Sequence, residues 1–146
     1  MTQVSHSIDV AVPPDRFLAV LEEYARYPEF QPDLKSIRVE ARAPGRAEVT
    51  YAFDAKMLLL EYTLEHTRRG PLRIEWRLLR GELLRQNTGS WDLQPLPDGG
   101  TRVTYSIELV FAAKVPAGLT RALAEQSLPR MLGNFKTRAE ALFARG

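Results

Sequence analysis

The strongest constraint in this chain is a change of period. From Ile37 to Phe111 apolar residues recur at every second position, and a helix-period stripe follows to the end. Period 2 is the signature of a half-buried strand, and period 3.6 of an amphipathic helix. Val4, His6, Ile8, Val10 and Val12 alternate with Ser5, Ser7 and Asp9 and form a first strand, stopped by Pro13-Pro14. Pro14 and Asp15 open a helix to about Glu23 with Phe17, Leu18, Val20 and Leu21 as its apolar face. Pro28 and Pro32 confine the next piece to a short helix or turn around Tyr24–Phe30.

Six further strands follow. Their apolar sets begin with Ile37/Val39/Ala41, Ala47/Val49/Tyr51/Phe53 and Leu58/Leu60/Tyr62/Leu64, then Ile74/Trp76/Leu78. A strand from about Leu84 to Gln94 and the set Val103/Tyr105/Ile107/Leu109/Phe111 complete them. Pro44-Gly45, Gly70-Pro71, Gly81 and Asp98-Gly99-Gly100 supply turns. Clean alternation predicts an antiparallel sheet with one wet and one covered face. The segment from about Ala117 to Arg145 is helical, its stripe carried by Leu128, Leu132, Phe135, Ala139, Leu142 and Phe143. Pro129 either kinks this helix or lies in the first turn of a main helix capped by Ser127.

The 146 residues predict a single domain over 1–146. There is no cysteine, which excludes disulfides, thiolate metal sites and cysteine nucleophiles, and two histidines make a zinc site unexpected. No cofactor is expected. The net charge of +2 gives little support to nucleic-acid binding, and no DNA partner is expected. The N-terminus lacks the basic and apolar regions of a signal peptide. The longest apolar runs, Met57–Leu60 and Leu109–Ala113, fall far short of the ~20 residues of a membrane span. A cytoplasmic protein, monomeric or weakly dimeric, is the expectation.

A long twisted sheet curls, and one helix cannot fill its concave face. Either large side chains occupy the rest or a cavity remains. Tyr51, Tyr62, Trp76, Trp91 and Tyr105 point inward and suit both outcomes: they fill a core, or they line an apolar pocket with polar anchors.

These segments resemble a known family. Ser7-Ile8-Asp9-Val10-Ala11-Val12-Pro13-Pro14-Asp15-Arg16-Phe17 is similar to the first strand and helix start of the START-like, helix-grip superfamily, in its polyketide cyclase/dehydrase and coenzyme Q-binding branch. Tyr27-Pro28-Glu29-Phe30-Gln31-Pro32 resembles that branch's most specific turn. Gly89-Ser90-Trp91-Asp92-Leu93 with Gly100-Thr101-Arg102-Val103-Thr104-Tyr105 resembles its late hairpin, and Leu132–Glu140 its helix. The resemblance implies an α+β helix-grip (START/Bet v 1-like) fold: a seven-stranded curved antiparallel sheet around a long C-terminal helix, with two short helices after the first strand. It also implies a cavity for a hydrophobic small molecule such as a lipid, quinone or polyketide. The expected lining is Tyr51, Phe53, Leu60, Tyr62, Trp76, Leu78 and Asn87, with Trp91, Tyr105, Ile107, Leu128, Met131, Leu132 and Phe135. That reading requires a pocket of roughly 300 Å³ or more.

Catalysis has thin support in the residues. Counting by twos turns His66, Arg80, Asn87 and His6 inward, and none of Asp9, Asp54, Glu61, Glu65, Glu75 and Glu108. The first reading of His66 is a solvent-touching rim residue, of Arg80 a surface arginine, of Asn87 a structural hydrogen-bonding group, and of His6 a strand-end residue packed by the last helix. A non-catalytic carrier is therefore the first reading. A polyketide cyclase/dehydrase is the alternative. A third is a ribosome or RNA binder of the kind found in this branch, using Arg68, Arg69, Arg73, Arg77, Arg80 and Arg85. The same arginines suit transient contact with an anionic membrane surface, or a solvated face balanced by Glu61, Glu65 and Glu75. Period 2 turns Leu58 and Leu60 inward and Met57 and Leu59 outward, which places the expected route of ligand uptake beside the long helix and the Lys56–Leu59 loop.

Overall fold

A computed structural model describes residues 2–55 and 58–143. The strands are β1 (Thr2–Val10), β2 (Leu34–Ala43), β3 (Arg46–Asp54), β4 (Leu59–Arg68), β5 (Arg73–Arg80), β6 (Leu84–Pro95) and β7 (Thr101–Phe111). They form one antiparallel sheet in the order β1-β7-β6-β5-β4-β3-β2. β2 to β7 are a meander, and β1 closes it by pairing along its whole length with β7, Thr2 opposite Leu109 and Val10 opposite Thr101. Gly45, Gly70 and Gly99 adopt positive φ, the conformation these tight turns require and side chains resist.

Helix α1 (Pro14–Glu22) starts with proline in its first turn. The four residues of its apolar face, Phe17, Leu18, Val20 and Leu21, are all buried, Phe17 completely. Each contributes roughly 1.5–3 kcal/mol by leaving water. Phe17 meets Trp91 and Phe135 at ring-centroid distances of 6.3 and 6.4 Å, which ties α1 to the sheet and the last helix. A 3₁₀ turn (Tyr24–Glu29) follows and carries Pro28 inside it.

After β7 the chain stays helical from Ala117 to Phe143, as α2 (Ala117–Ala122), a π turn (Leu123–Ser127) and α3 (Leu128–Phe143). The Leu128 N–H bonds the Leu123 carbonyl, five residues back. The Ser127 cap is not the device used. The wider π turn carries the helix past Pro129, which has no N–H to give and would clash in a tighter turn. α3 lies in the sheet's concavity, with Leu128, Leu132, Phe135 and Ala139 buried. Leu142, counted in the stripe, is exposed.

Candidate functional site

Between α3 and the inner face of the sheet is a cavity of about 140 Å³. Tyr51, Phe53, Leu60, Tyr62, Trp76, Asn87, Trp91, Tyr105, Ile107, Leu128, Met131 and Phe135 line it, twelve of the fourteen residues expected there. Leu78 and Leu132 do not. Leu132 is buried, but it sits one residue past Met131, about 100° round the helix. Leu78 is half-buried opposite Leu64, and Leu64 takes the place in the wall. The volume is under half of the roughly 300 Å³ that the reading required for a drug-sized ligand, so the requirement is not met and a cavity this size has room only for a smaller molecule. Aromatic rings occupy the remainder: Trp76 stacks on Tyr105 at 5.1 Å, and Trp91 meets Tyr105 at 4.7 Å and Phe135 at 5.1 Å. The two outcomes left open by the sequence are both partly realised, with more filling than cavity.

Two polar pairs interrupt the apolar wall. The Tyr51 hydroxyl and His66 Nε2 are 2.7 Å apart, and Trp76 Nε1–H donates to Asn87 Oδ1 at 2.9 Å. His66 is not a rim residue. It is 5% exposed, covered by the Tyr24 ring at 4.7 Å, and its Nδ1 is buried without a hydrogen-bond partner. Burial lowers its pKa to about 3, because the charged imidazolium loses hydration with no carboxylate to replace it. Burial also pushes the Tyr51 and Tyr105 hydroxyls up. The cavity wall is therefore neutral around pH 7.

Arg80 is on the outer face, not the inner. A bulge in β5 shifts the register so that Leu78 opposes Leu64 while Arg80 opposes Thr63, an outward position. There Arg80 lies within the field of Glu40. One extra residue in a strand reverses every later side chain. His6 does not line the cavity; its Nε2 lies 3.2 Å from the Ala124 carbonyl, which joins β1 to the π turn.

Two residues ahead of β2, Gln31 and Asp33, and two on α3, Arg130 and Asn134, form a polar rim that period-2 counting could not reach. Arg130 bonds Asp33 at 2.6 Å, Asn134 Nδ2 donates to Gln31 Oε1 at 3.0 Å, and Gln31 Nε2 donates to the Met131 carbonyl at 3.1 Å. Asp33, Gln31, Arg130 and Asn134 all line the cavity. Asp33 is an acid the strand count missed, because it precedes β2. Gln31 belonged to the recognised turn, and that turn was the one available signal for this rim. The β3–β4 connection is adjacent, with Asp54 N–H bonded to the Asp33 carbonyl at 2.7 Å. In that connection Leu60 is buried, Leu58 packs on the core and Leu59 is 51% exposed, while Lys56 and Met57 lie outside the described residues.

The basic stretch is largely neutralised on the sheet's outer face and at its turns. Arg68 pairs with Glu22 at 3.4 Å, Arg69 with Glu75 at 3.0 Å, Arg73 with Glu75 and Asp92, and Arg77 with Glu65 at 2.9 Å. Among the described residues no cluster of three His, Asp or Glu could hold a metal, and no helix is long and apolar enough to cross a membrane.

This architecture and its sheet–helix cavity define a START-like ligand-binding fold. Residues 10–136 match the family described as polyketide cyclase/dehydrase and lipid transport, and the chain belongs to that family. Among solved structures, it is similar to the Zhui aromatase/cyclase from Streptomyces sp. R1128, with TM-score 0.87, 19% identity and coverage of 99% of this chain and 96% of that one. TTHA0849 from Thermus thermophilus gives TM-score 0.85 and 18% identity over 97% and 99% of the two chains. A START superfamily protein from Mycobacterium smegmatis gives 0.84 and 18% over 96% and 98%. No curated protein sequence matches.

Proposed function

We propose that this protein binds an uncharged hydrophobic small molecule in the sheet–helix cavity and acts as a carrier or binding protein. The observation that carries this is the wall itself. It is built from aromatic and aliphatic side chains, with neutral polar pairs inside it and, among the described residues, charge confined to the Asp33–Arg130 pair at the rim. Membership of a family that includes lipid transport supports the reading. Both tryptophans of the chain, Trp76 and Trp91, line the cavity and report on its contents. Titration with toluene, 2,5-dimethyl-1,4-benzoquinone, anthraquinone and palmitate tests it by tryptophan fluorescence and calorimetry. At least one of the three uncharged probes should bind saturably, and Leu128→Trp, which fills the cavity, should abolish that binding; palmitate, an anion at pH 7, should not bind. No saturable binding by any uncharged probe, or binding indifferent to Leu128→Trp, overturns the reading.

A second reading, an aromatase/cyclase-type enzyme, is favoured by one feature, the buried Tyr51–His66 pair. A neutral imidazole bonded to a phenol in a dry site has the groups to move a proton, and a structural relative is an aromatase/cyclase. In that case His66→Ala or Asn87→Ala abolishes turnover of a poly-β-ketone substrate. Unchanged turnover removes the substituted residue from the chemistry.

A further inference from the structure

Resting on the carrier reading, we infer that the cavity selects a neutral one-ring molecule carrying a hydrogen-bonding oxygen, a phenol or a monocyclic quinone, and seats one such oxygen on the Tyr51–His66 pair. Long acyl chains and fused polycycles are excluded.

Size is the first argument. An apolar cavity of about 150 Å³ takes benzene, and this one is about 140 Å³. One substituted ring fills it, and a fused tricycle or a sixteen-carbon chain does not fit. Shape is the second. Flat surfaces border the space: Tyr51 stacks on Tyr62 at 5.3 Å and 21°, and Trp76 on Tyr105 at 5.1 Å and 28°. Planar walls favour a planar guest in offset or edge contact.

Hydrogen-bonding capacity is the third argument. The Trp76 N–H is already satisfied by Asn87. The Tyr51–His66 pair is not saturated. A phenolic hydroxyl offers one donor and acceptor capacity, and His66 occupies part of it at 2.7 Å. His66 Nδ1 is fully buried with no partner at all. Both residues line the cavity. With the proton on Nε2 the Tyr51 hydroxyl is free to donate, and with it on Nδ1 the Tyr51 oxygen is free to accept, so a phenol suits either form and a quinone carbonyl suits the first. Charge is the fourth. The lining carboxylate and guanidinium, Asp33 and Arg130, neutralise each other at 2.6 Å, which leaves an anionic ligand no free counter-charge among the described lining residues.

The test is calorimetric ranking on the intact chain with p-cresol, toluene, benzoate, anthraquinone and palmitate at pH 7.5. The expected order places p-cresol about two- to tenfold tighter than toluene, the range one net hydrogen bond supplies, with benzoate, anthraquinone and palmitate showing no saturable binding. Tyr51→Phe should bring the ratio of p-cresol to toluene affinity to about one. Binding of anthraquinone with none of p-cresol overturns this inference and leaves the carrier reading standing, whereas binding of palmitate, an anion at this pH, with none of the uncharged probes overturns both. Silence from every probe overturns both. A p-cresol preference that survives in Tyr51→Phe places the oxygen elsewhere and overturns the assignment to the pair. If Tyr51→Phe is unstable, the wild-type ranking alone still decides size and charge selectivity.

Discussion

The indole N–H of Trp76 reaches Asn87 Oδ1 at 2.9 Å only because the residue between them on the inner face of β6 is a glycine. A Cβ on Gly89 would stand 2.3 Å from Trp76 Cζ2 and 2.2 Å from the Ser106 carbonyl oxygen. The ring edge therefore occupies the space a side chain at Gly89 would need, while the indole bonds Asn87 and stacks on Tyr105. The late hairpin's glycine and the cavity's polar wall are parts of one arrangement.

Gly89→Ala should destabilise the fold by roughly 1–3 kcal/mol or more, the usual range for overpacking. Urea denaturation measures it. Because one of the two contacts is with backbone, adding Trp76→Phe should not restore stability. Full rescue by that second change would show that the indole alone sets the clash.

Asn87→Leu leaves the Trp76 N–H buried without an acceptor and should cost about 1–3 kcal/mol. Trp76→Phe in the same chain removes the orphaned donor. The double variant should therefore lose less than the sum of the two single losses in a double-mutant cycle. Strict additivity would mean the 2.9 Å bond contributes nothing to stability.

His66 makes stability depend on acid. Its folded pKa is about 3 against an ordinary 6.5, so as pH falls the unfolded chain takes up the proton first. The contribution is intact above about pH 6.5 and is lost progressively toward pH 3, at about 1.4 kcal/mol per pH unit. Between pH 7.5 and 5 the wild type should lose roughly 2 kcal/mol more than His66→Phe by urea midpoint. Equal losses in the two chains would show that His66 is not the group being protonated.

Asp33 and Arg130 close the rim with side chains 21% and 44% exposed. Solvent screening limits such a pair to about 1 kcal/mol or less. Asp33→Asn and Arg130→Gln should leave the thermal midpoint nearly unchanged and speed the stopped-flow quenching of Trp76 and Trp91 by 2,5-dimethyl-1,4-benzoquinone several-fold. An unchanged rate would place the route of uptake away from this rim.

Local pattern was enough for the elements. The alternation of Val49, Tyr51 and Phe53, the glycines at positive φ in three turns and the helical spacing of Leu128 and Phe135 are properties of short stretches. Period 2 orients a side chain without knowledge of its neighbours, which is why nine of the ten strand residues expected in the lining face the cavity. Where the period slips it misleads, as at Arg80, because the bulge opposite Thr63 and Leu64 is a property of two strands together.

What only tertiary structure decided depends on residues far apart in the chain. The closure of β1 on β7 joins residues 2–10 to 101–109. Asp33 and Arg130 meet across 97 positions. His66 looked like a rim residue because a strand end is usually wet, and it is dry because Tyr24 lies over it. The cavity's small volume follows from how far Trp76, Trp91, Tyr105 and Phe135 interpenetrate. Composition names those side chains but does not set their separation, because close packing is a relation among all the surfaces that meet.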